Sequence, residues 1–524
     1  MHPQKVFGTS LSLLATTQLS SAILQPTPPM GFNDWARFMC NINQTVFTDA
    51  VDAMVSTGLR DVGYKLVTID DCWPEHKRTA NGSLTWNTTL FPNGLEWLSD
   101  YIHKNDMLFG IYEDAGTETC GGWPGSYGHE ETDAKTFASW KVDYLKLDGC
   151  NVDSVPGQSD EETYKQIYHK WHTILPELQI SFSESAPAYF VSDKSLSDWY
   201  KVMDWVPSNG QLARHSYDIA TWGSGDVWDS VMTNYGYNIR LPRVQKKGFY
   251  NDPDFIIAGD SNLTLTEQKS QFALWSSFSA PLILSSNIPA LTKDQLAFLM
   301  NKDLIALDQD ELVQQATLVS QDSTFDILSK TLANGDRALT ILNKGSSAAT
   351  ATVPFSKVGF SSAKSCKYSV KDLWTGETSS LSKQVVAQNI PSHGTAVYRI
   401  TPSGQCKTIT PGGQIFNTFT MDCLSAGSSV TSTKCGATNA EFFSISKNGT
   451  ISASLAGGNC LTANGSKVTM ETCTSAPQQV WSHNIQGYLI NKASSNCLTA
   501  KNGTSISVAK CGDELDSQVF EIPL

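Results

Sequence analysis

Between Met30 and about Asn287 the chain repeats one device: a short apolar run that stops at a polar or acidic residue, then a longer stretch with helical periodicity. The runs are Met30 to Trp35, Leu66 to Trp73, Leu108 to Asp114, Val142 to Cys150, Ile180 to Glu184, a weaker stretch from Arg214 to Asp218, Phe249 to Asp254, and Leu282 to Asn287. Strand and helix in strict alternation describe a parallel sheet. Eight such units over roughly 260 residues is the size of a (β/α)8 TIM barrel. A doubly wound sheet is the alternative, but it wants a glycine-rich phosphate loop after its first strand, and none follows Trp35.

In a parallel barrel the functional groups sit at the C-terminal ends of the strands, so the residues that close the runs are the candidates. The fourth run, Val142-Asp143-Tyr144-Leu145-Lys146-Leu147-Asp148-Gly149-Cys150, carries the sharpest one. Lys146 and Asp148 are two apart and share a face of the strand, and a neighbouring ammonium keeps a carboxylate ionised. That is what a nucleophilic Asp requires. The competing reading of Asp148, a cap for the following helix, does not explain why so many other runs also end in acids. Converging carboxylates suit a polyhydroxylated ligand, and Trp35, Trp73, Tyr112 and Trp123 offer apolar faces for sugar C–H groups.

The chain has 524 residues, which implies two or three domains. A net charge of −13 without any basic cluster argues against nucleic acid as a partner. Residues 1–22 resemble a secretory signal peptide: Lys5, an apolar stretch from Val6 to Leu19, then Ser20-Ser21-Ala22. No later stretch is long and apolar enough to span a bilayer. Twelve cysteines and seven Asn-x-Ser/Thr sequons, at Asn43, Asn81, Asn87, Asn262, Asn448, Asn464 and Asn502, agree with a secreted, glycosylated, extracellular protein. No Cys-x-x-Cys pair is present, so disulfides are expected rather than a zinc site.

Asp34-Trp35-Ala36-Arg37-Phe38-Met39-Cys40, Asp70-Asp71-Cys72-Trp73, Gly110-Ile111-Tyr112, Lys146-Leu147-Asp148-Gly149-Cys150, Asn251-Asp252-Pro253-Asp254 and Ala273-Leu274-Trp275 resemble, in order, the α-galactosidases (melibiases) of glycoside hydrolase family 27. The resemblance covers about Met30 to Ile400. It implies a secreted retaining exo-glycosidase that hydrolyses terminal α-D-galactosyl residues of oligosaccharides and galactomannans, on a barrel followed by a β-sandwich, with no metal or organic cofactor. By the same resemblance Asp148 is the nucleophile, Lys146 binds beside it, and Asp218 is the acid/base. Asp70 and Asp71 bind the axial O4 and the O6 of galactose, Trp35 and Tyr112 line the pocket, Glu184 and Arg214 hold the 2-hydroxyl, and Asp254 stands beside the acid/base. The family pattern pairs Cys40 with Cys72 and Cys120 with Cys150. A retaining glycosidase needs two carboxyls roughly 5–5.5 Å apart, one ionised and one protonated, and an acid near Asp218 is expected to help it hold its proton.

The chain departs from the family at Ser183-Glu184-Ser185-Ala186-Pro187-Ala188-Tyr189, where many relatives have Cys-Glu-Trp. Glu184 favours a 2-hydroxyl over a 2-acetamido group. Scaffold relatives acting on β-L-arabinopyranosides or α-N-acetylgalactosaminides are the near alternatives, and a non-catalytic galactose-binding lectin is the distant one.

Residues 304–403 lose the βα rhythm for alternating runs, which predicts an antiparallel β-sandwich after a catalytic unit over 23–303. Cys366 and Cys406 are left over and can join each other. In 404–524 the blocks Cys423-Leu424-Ser425-Ala426, Cys460-Leu461-Thr462-Ala463 and Cys497-Leu498-Thr499-Ala500 recur every 37 residues, and Cys435, Cys473 and Cys511 every 38. This threefold repeat, closed by Gln479-Val480-Trp481 and Gln518-Val519-Phe520, resembles a ricin-type β-trefoil, with each cysteine pair stapling one lobe. Sugar-binding repeats of that type place an Asp two residues after the first Cys; here Ser425, Thr462 and Thr499 stand there, which predicts weak galactose binding or none.

Overall fold

The computed structural model describes residues 24–524 except 193, 221–224, 362, 364, 404, 405, 407–409, 428 and 502–504. The expected signal peptide and the sequon at Asn502 lie outside the described residues.

Eight parallel strands form the first unit: β1 (Met30–Asn33), β2 (Leu66–Ile69), β3 (Leu108–Asp114), β4 (Tyr144–Asp148), β5 (Ser181–Glu184), β6 (Leu212–Arg214), β7 (Tyr250–Asp252) and β8 (Leu282–Leu284). Their order is β7-β6-β5-β4-β3-β2-β1-β8. The ring closes just past β7, where Ile256 N–H donates to Ile283 O at 2.9 Å and Ser285 N–H to Ile256 O at 2.9 Å. Strands buried on both faces read as unbroken apolar runs, which is why the runs were legible. Gly31 is required by close approach, since a Cβ there would lie 2.1 Å from Leu66 O.

The helices are α1 (Trp35–Phe38), α2 (Gln44–Thr57), α3 (Leu95–Lys104), α4 (Glu130–Ser139), α5 (Asp160–Ile174), α6 (Ser197–Trp205), α7 (Val227–Asn238), α8 (Leu265–Phe278) and α9 (Lys293–Leu299). Local chemistry starts several of them. Asn43 accepts from Thr45 N–H and Val46 N–H at the head of α2, and Thr264 with Glu267 forms a capping box at the head of α8. A further helix, Lys302–Asp308, packs on α8 and crosses the expected boundary at 303. The second unit's sheet therefore begins at Thr317, in strand Thr317–Gln321.

That unit is antiparallel, a six-stranded sheet facing a two-stranded one, with its own core around Val319, Ile341, Val353, Phe355, Tyr368 and Ile400. The last unit is a curled antiparallel sheet around Leu424, Phe443, Leu461, Trp481, Leu498 and Phe520. It is not tethered loosely. Phe416, Cys423 and Val519 join the core of the barrel, and Arg243 of the barrel pairs with buried Glu521. The disulfides are Cys40–Cys72, Cys120–Cys150, Cys366–Cys406, Cys423–Cys435, Cys460–Cys473 and Cys497–Cys511.

Candidate active site

At the C-terminal ends of the strands a lattice of carboxylates is threaded by two buried cations. Lys146, in the middle of β4, is 6 % exposed. Its Nζ donates to Asp70 Oδ2 at 2.6 Å, and the ammonium stands 5.1 Å from the ring centres of Tyr112 and Phe255. Burial opposes its charge, but Asp70 and then Asp148 outweigh burial and hold Lys146 charged. The hydrogen bond of Lys146 goes to Asp70, and its interaction with Asp148 is one of charge.

Asp70 leads from β2 and is held on all sides. Its Oδ2 also accepts from Asn33 Nδ2 at 2.7 Å, and its Oδ1 from Asp71 N–H at 3.0 Å. Asp71 accepts from Cys72 N–H and from Gly121 N–H at 2.7 and 2.8 Å, and burial raises its pKa. Trp35, half-buried, starts α1 with its N–H on Asn33 Oδ1. Tyr112 is buried on β3 with its hydroxyl 3.4 Å from Cys120 Sγ. Trp73 is buried, packed edge-on against Phe137 and Trp140, with its Nε1 donating to Tyr112 O at 2.9 Å. Trp123 is half-buried and stacks on His76 at 5.3 Å, next to the Gly121 that binds Asp71.

Asp148 closes β4. The strongest contact to its side chain comes from a residue that the family motifs did not mark: Tyr189 OH donates to Asp148 Oδ1 at 2.5 Å and accepts from Gly149 N–H at 3.2 Å. Tyr189 lies in the short helix Ala186–Phe190, in the segment that departs from the family. Its place five residues after Glu184, in the same loop, was the available signal. Asp114, at the end of β3 beside Asp148, also went unmarked. It accepts from Gly116 N–H at 2.7 Å and from Cys150 N–H at 2.9 Å, so it ties the β3 end to the turn after Asp148. Burial and then Asp148 push its pKa up to about 8, against those two hydrogen bonds.

The second cation is Arg214, last residue of β6 and 5 % exposed. It donates to Asp218 Oδ1 at 2.9 Å and pairs with Asp254 Oδ1 at 3.1 Å, while the carbonyls of Ser216 and Tyr217 also accept from it. Asp254, buried beyond β7 with φ of 75°, accepts from Ile219 N–H at 2.7 Å. Burial raises Asp254 and Asp218 adds to that, with Arg214 pulling the other way. Asp218, whose side chain is 80 % exposed, behaves oppositely to expectation. Desolvation pushes it up, but the Arg214 charge and hydrogen bond, helped by Lys146, hold it below the usual carboxylate range. Its pKa is lowered despite the acid beside it, because both acids share one guanidinium and the buried one is the one that desolvation raises.

Glu184 ends β5 fully buried. Its Oε1 accepts from Gly210 N–H at 2.9 Å, and its Oε2 has no partner among the described residues. Burial pushes its pKa far up. No hydrogen bond between Glu184 and Arg214 joins the two expected 2-hydroxyl ligands. The charge of Lys146 favours the ionised form of Asp218, and Asp148 in turn favours the charged form of Lys146.

The family model described as "Alpha galactosidase A" matches residues 27–310, the "Alpha galactosidase C-terminal beta sandwich domain" matches 322–400, and the "Ricin-type beta-trefoil lectin domain" matches 411–520. The chain is 48 % identical to alpha-galactosidase A of Aspergillus niger, over 98 % of this chain and 97 % of that one. Among solved structures it resembles alpha-galactosidase I of Mortierella vinacea, with 27 % identity, a TM-score of 0.66, and coverage of 73 % of this chain and 99 % of that one. It also resembles the alpha-galactosidase of Saccharomyces cerevisiae solved with raffinose, with 26 % identity, a TM-score of 0.64, and coverage of 72 % and 98 %.

Proposed function

The chain belongs to the α-galactosidase family of glycoside hydrolases, and from that premise we propose how its own residues carry out the reaction. It is an α-galactosidase; the arabinopyranosidase, N-acetylgalactosaminidase and lectin readings are not favoured. The observation that supports the assignment of roles is the difference in partners at the strand ends: Asp148 accepts a hydrogen bond from Tyr189 OH at 2.5 Å, whereas Asp218 shares the buried guanidinium of Arg214 with Asp254.

In this reading the Asp148 carboxylate attacks the anomeric carbon as the bond to the aglycone oxygen breaks, and that oxygen takes the proton of Asp218. Asp218 then removes a proton from water, whose oxygen attacks the same carbon and returns the electron pair to Asp148. Two inversions release α-galactose first. Arg214 lowers the pKa of Asp218, so whatever weakens that contact favours the acid form. A galactosyl ring would exclude water from Asp218 and draw an Arg214 N–H to its 2-hydroxyl, and both changes favour the protonated carboxyl. Glu184, whose pKa burial raises, offers Oε2 to the same hydroxyl. Asp70 and Asp71 accept from the 4- and 6-hydroxyls, and Trp35 and Tyr112 give the apolar wall.

Oligosaccharides of the raffinose type and branched galactomannans are the substrates proposed. Export is inferred from twelve paired cysteines and the sequons, and no helix among the described residues is long and apolar enough to cross a membrane. The test is Asp148→Ala assayed with p-nitrophenyl α-galactoside: turnover should vanish while galactose still binds. A rate within about tenfold of the parent, ~1.4 kcal/mol of barrier, would remove Asp148 from the role.

A further inference from the structure

We propose that the trefoil serves the active site by gripping helix α6, so that its docking sets the positions of Tyr189 and of the Arg214–Asp218 segment over the sugar-binding mouth. The inference rests on the roles assigned above to Asp148 and Asp218.

Three separate parts of the trefoil reach α6 along one line. Asp516 Oδ1 accepts from the N–H of Leu196, the residue that caps the helix, at 3.1 Å; the hydroxyls of Thr418 and Tyr200 share a buried hydrogen bond of 2.7 Å; and Gln486 Nε2 donates to Asp204 Oδ1 at 2.7 Å. Residues 196, 200 and 204 are four apart, a single stripe of a helix. The adjoining face carries Trp199, Val202 and Met203, all buried.

That face touches both halves of the catalytic apparatus. Trp199 Nε1 donates to His215 O at 2.6 Å, directly after Arg214 and three residues before Asp218. Its ring meets Tyr237 edge-on at 5.7 Å, and Tyr237 meets Tyr217, the neighbour of Asp218, at 5.9 Å. On the other side α6 packs against the helix Ala186–Phe190 that presents Tyr189 to Asp148. A cavity of about 370 Å³ lies there, with Tyr189 and Phe190 on one wall and Asp198 and Lys201 of α6 on the other. A helix of nine residues has little stability of its own, so its position is set by what holds it. Here the outer holder is the trefoil.

At two of the three repeat positions the trefoil's hydroxyls are already engaged within their own lobes. Thr462 Oγ1 donates to Cys460 O and accepts from Gln479 Nε2; Thr499 Oγ1 donates to Cys497 O and accepts from Gln518 Nε2. Both threonines are buried and occupied within their own lobes. Asp516, Thr418 and Tyr200 are thus positioning residues, acting through α6 without touching the reacting atoms.

The test uses the full chain. Asp516→Ala combined with Tyr200→Phe should lower kcat/KM for p-nitrophenyl α-galactoside about tenfold, ~1.4 kcal/mol of barrier, and move the alkaline limb of its pH profile upward as Asp218 loses register with Arg214. Asp516→Asn, which keeps an acceptor oxygen, should restore the first part. In a Tyr189→Phe background the loss should shrink to about threefold or less. Unchanged kcat/KM and an unmoved limb would overturn the proposal, as would an equal loss in both backgrounds, which marks general destabilisation. Tyr200→Phe alone, which removes one hydroxyl and leaves the ring, carries the same test at about threefold should the double variant not fold. Activity surviving in Asp148→Ala would instead break the functional reading and leave the docking geometry standing.

Discussion

Replacing Arg214 by Ala should raise the pH at which activity is lost on the alkaline side. Arg214 contacts Asp218 at 2.9 Å and Asp254 at 3.1 Å, and it is the dominant influence holding Asp218 ionised. Two unit charges about 4 Å apart interact by roughly 4 kcal/mol at the effective dielectric of a protein surface. Because the Asp218 side chain is 80 % exposed, water screens most of that. A residual of about 1.4 kcal/mol corresponds to one pH unit. The sign follows from the direction of the shift: the cation depresses the pKa, so its removal raises it, and the acid form that protonates the leaving oxygen persists to higher pH. The assay is kcat/KM against pH, which reports the free enzyme. Arg214→Ala should show a lower plateau, from the lost sugar contact, and an alkaline limb moved up by about one unit, with Arg214→Lys between the two. A limb that stays in place or moves down would refute Arg214 as the group that sets the charge of Asp218.

Asp218→Ala should hydrolyse a 2,4-dinitrophenyl galactoside far better than natural substrates, because that leaving group needs no proton, and azide should then accelerate turnover by replacing the base-activated water; equal damage on both substrates with no azide response contradicts the acid/base role. Replacing both Cys120 and Cys150 by Ala opens a loop of 30 residues that carries Gly121 to Asp71 and borders Tyr189, and should lower stability by about 3.5 kcal/mol in the chain-entropy account, read as a lowered thermal midpoint together with reduced kcat. Calorimetric titration of the inactive Asp148→Ala chain with galactose should give one site per chain; further sites tighter than about 0.1 mM, roughly −5.5 kcal/mol, would show that the trefoil binds galactose despite its occupied threonines.

Much of the site was legible because strand ends in a barrel converge whatever the loops do. Asp70, Asp71, Asp148, Arg214 and Asp254 each terminate or follow a parallel strand, so counting the runs already gathers them at one face. Partnership was not legible. Lys146 and Asp148 share a strand face, yet the short hydrogen bond of Lys146 goes to Asp70, 76 residues away, because that carboxylate projects from a neighbouring part of the ring. Trp73 follows the same motif as Asp71 but turns into the packing under the loop, a choice set by Phe137 and Trp140.

Sequence alone determined the class of each unit: apolar runs with helical spacers for the barrel, alternation for the sandwich, and a threefold cysteine rhythm for the trefoil, since periodicity is a local property of a chain. Only the tertiary structure decided where the charges rest and what the third domain touches. The pKa of Asp218 is lowered because one guanidinium is shared between an exposed acid and a buried one, and burial is a property of the assembled fold. Likewise Thr418, Gln486 and Asp516 meet α6 from distant points of the chain, and no spacing within the sequence encodes that meeting; it exists because the trefoil packs against the barrel.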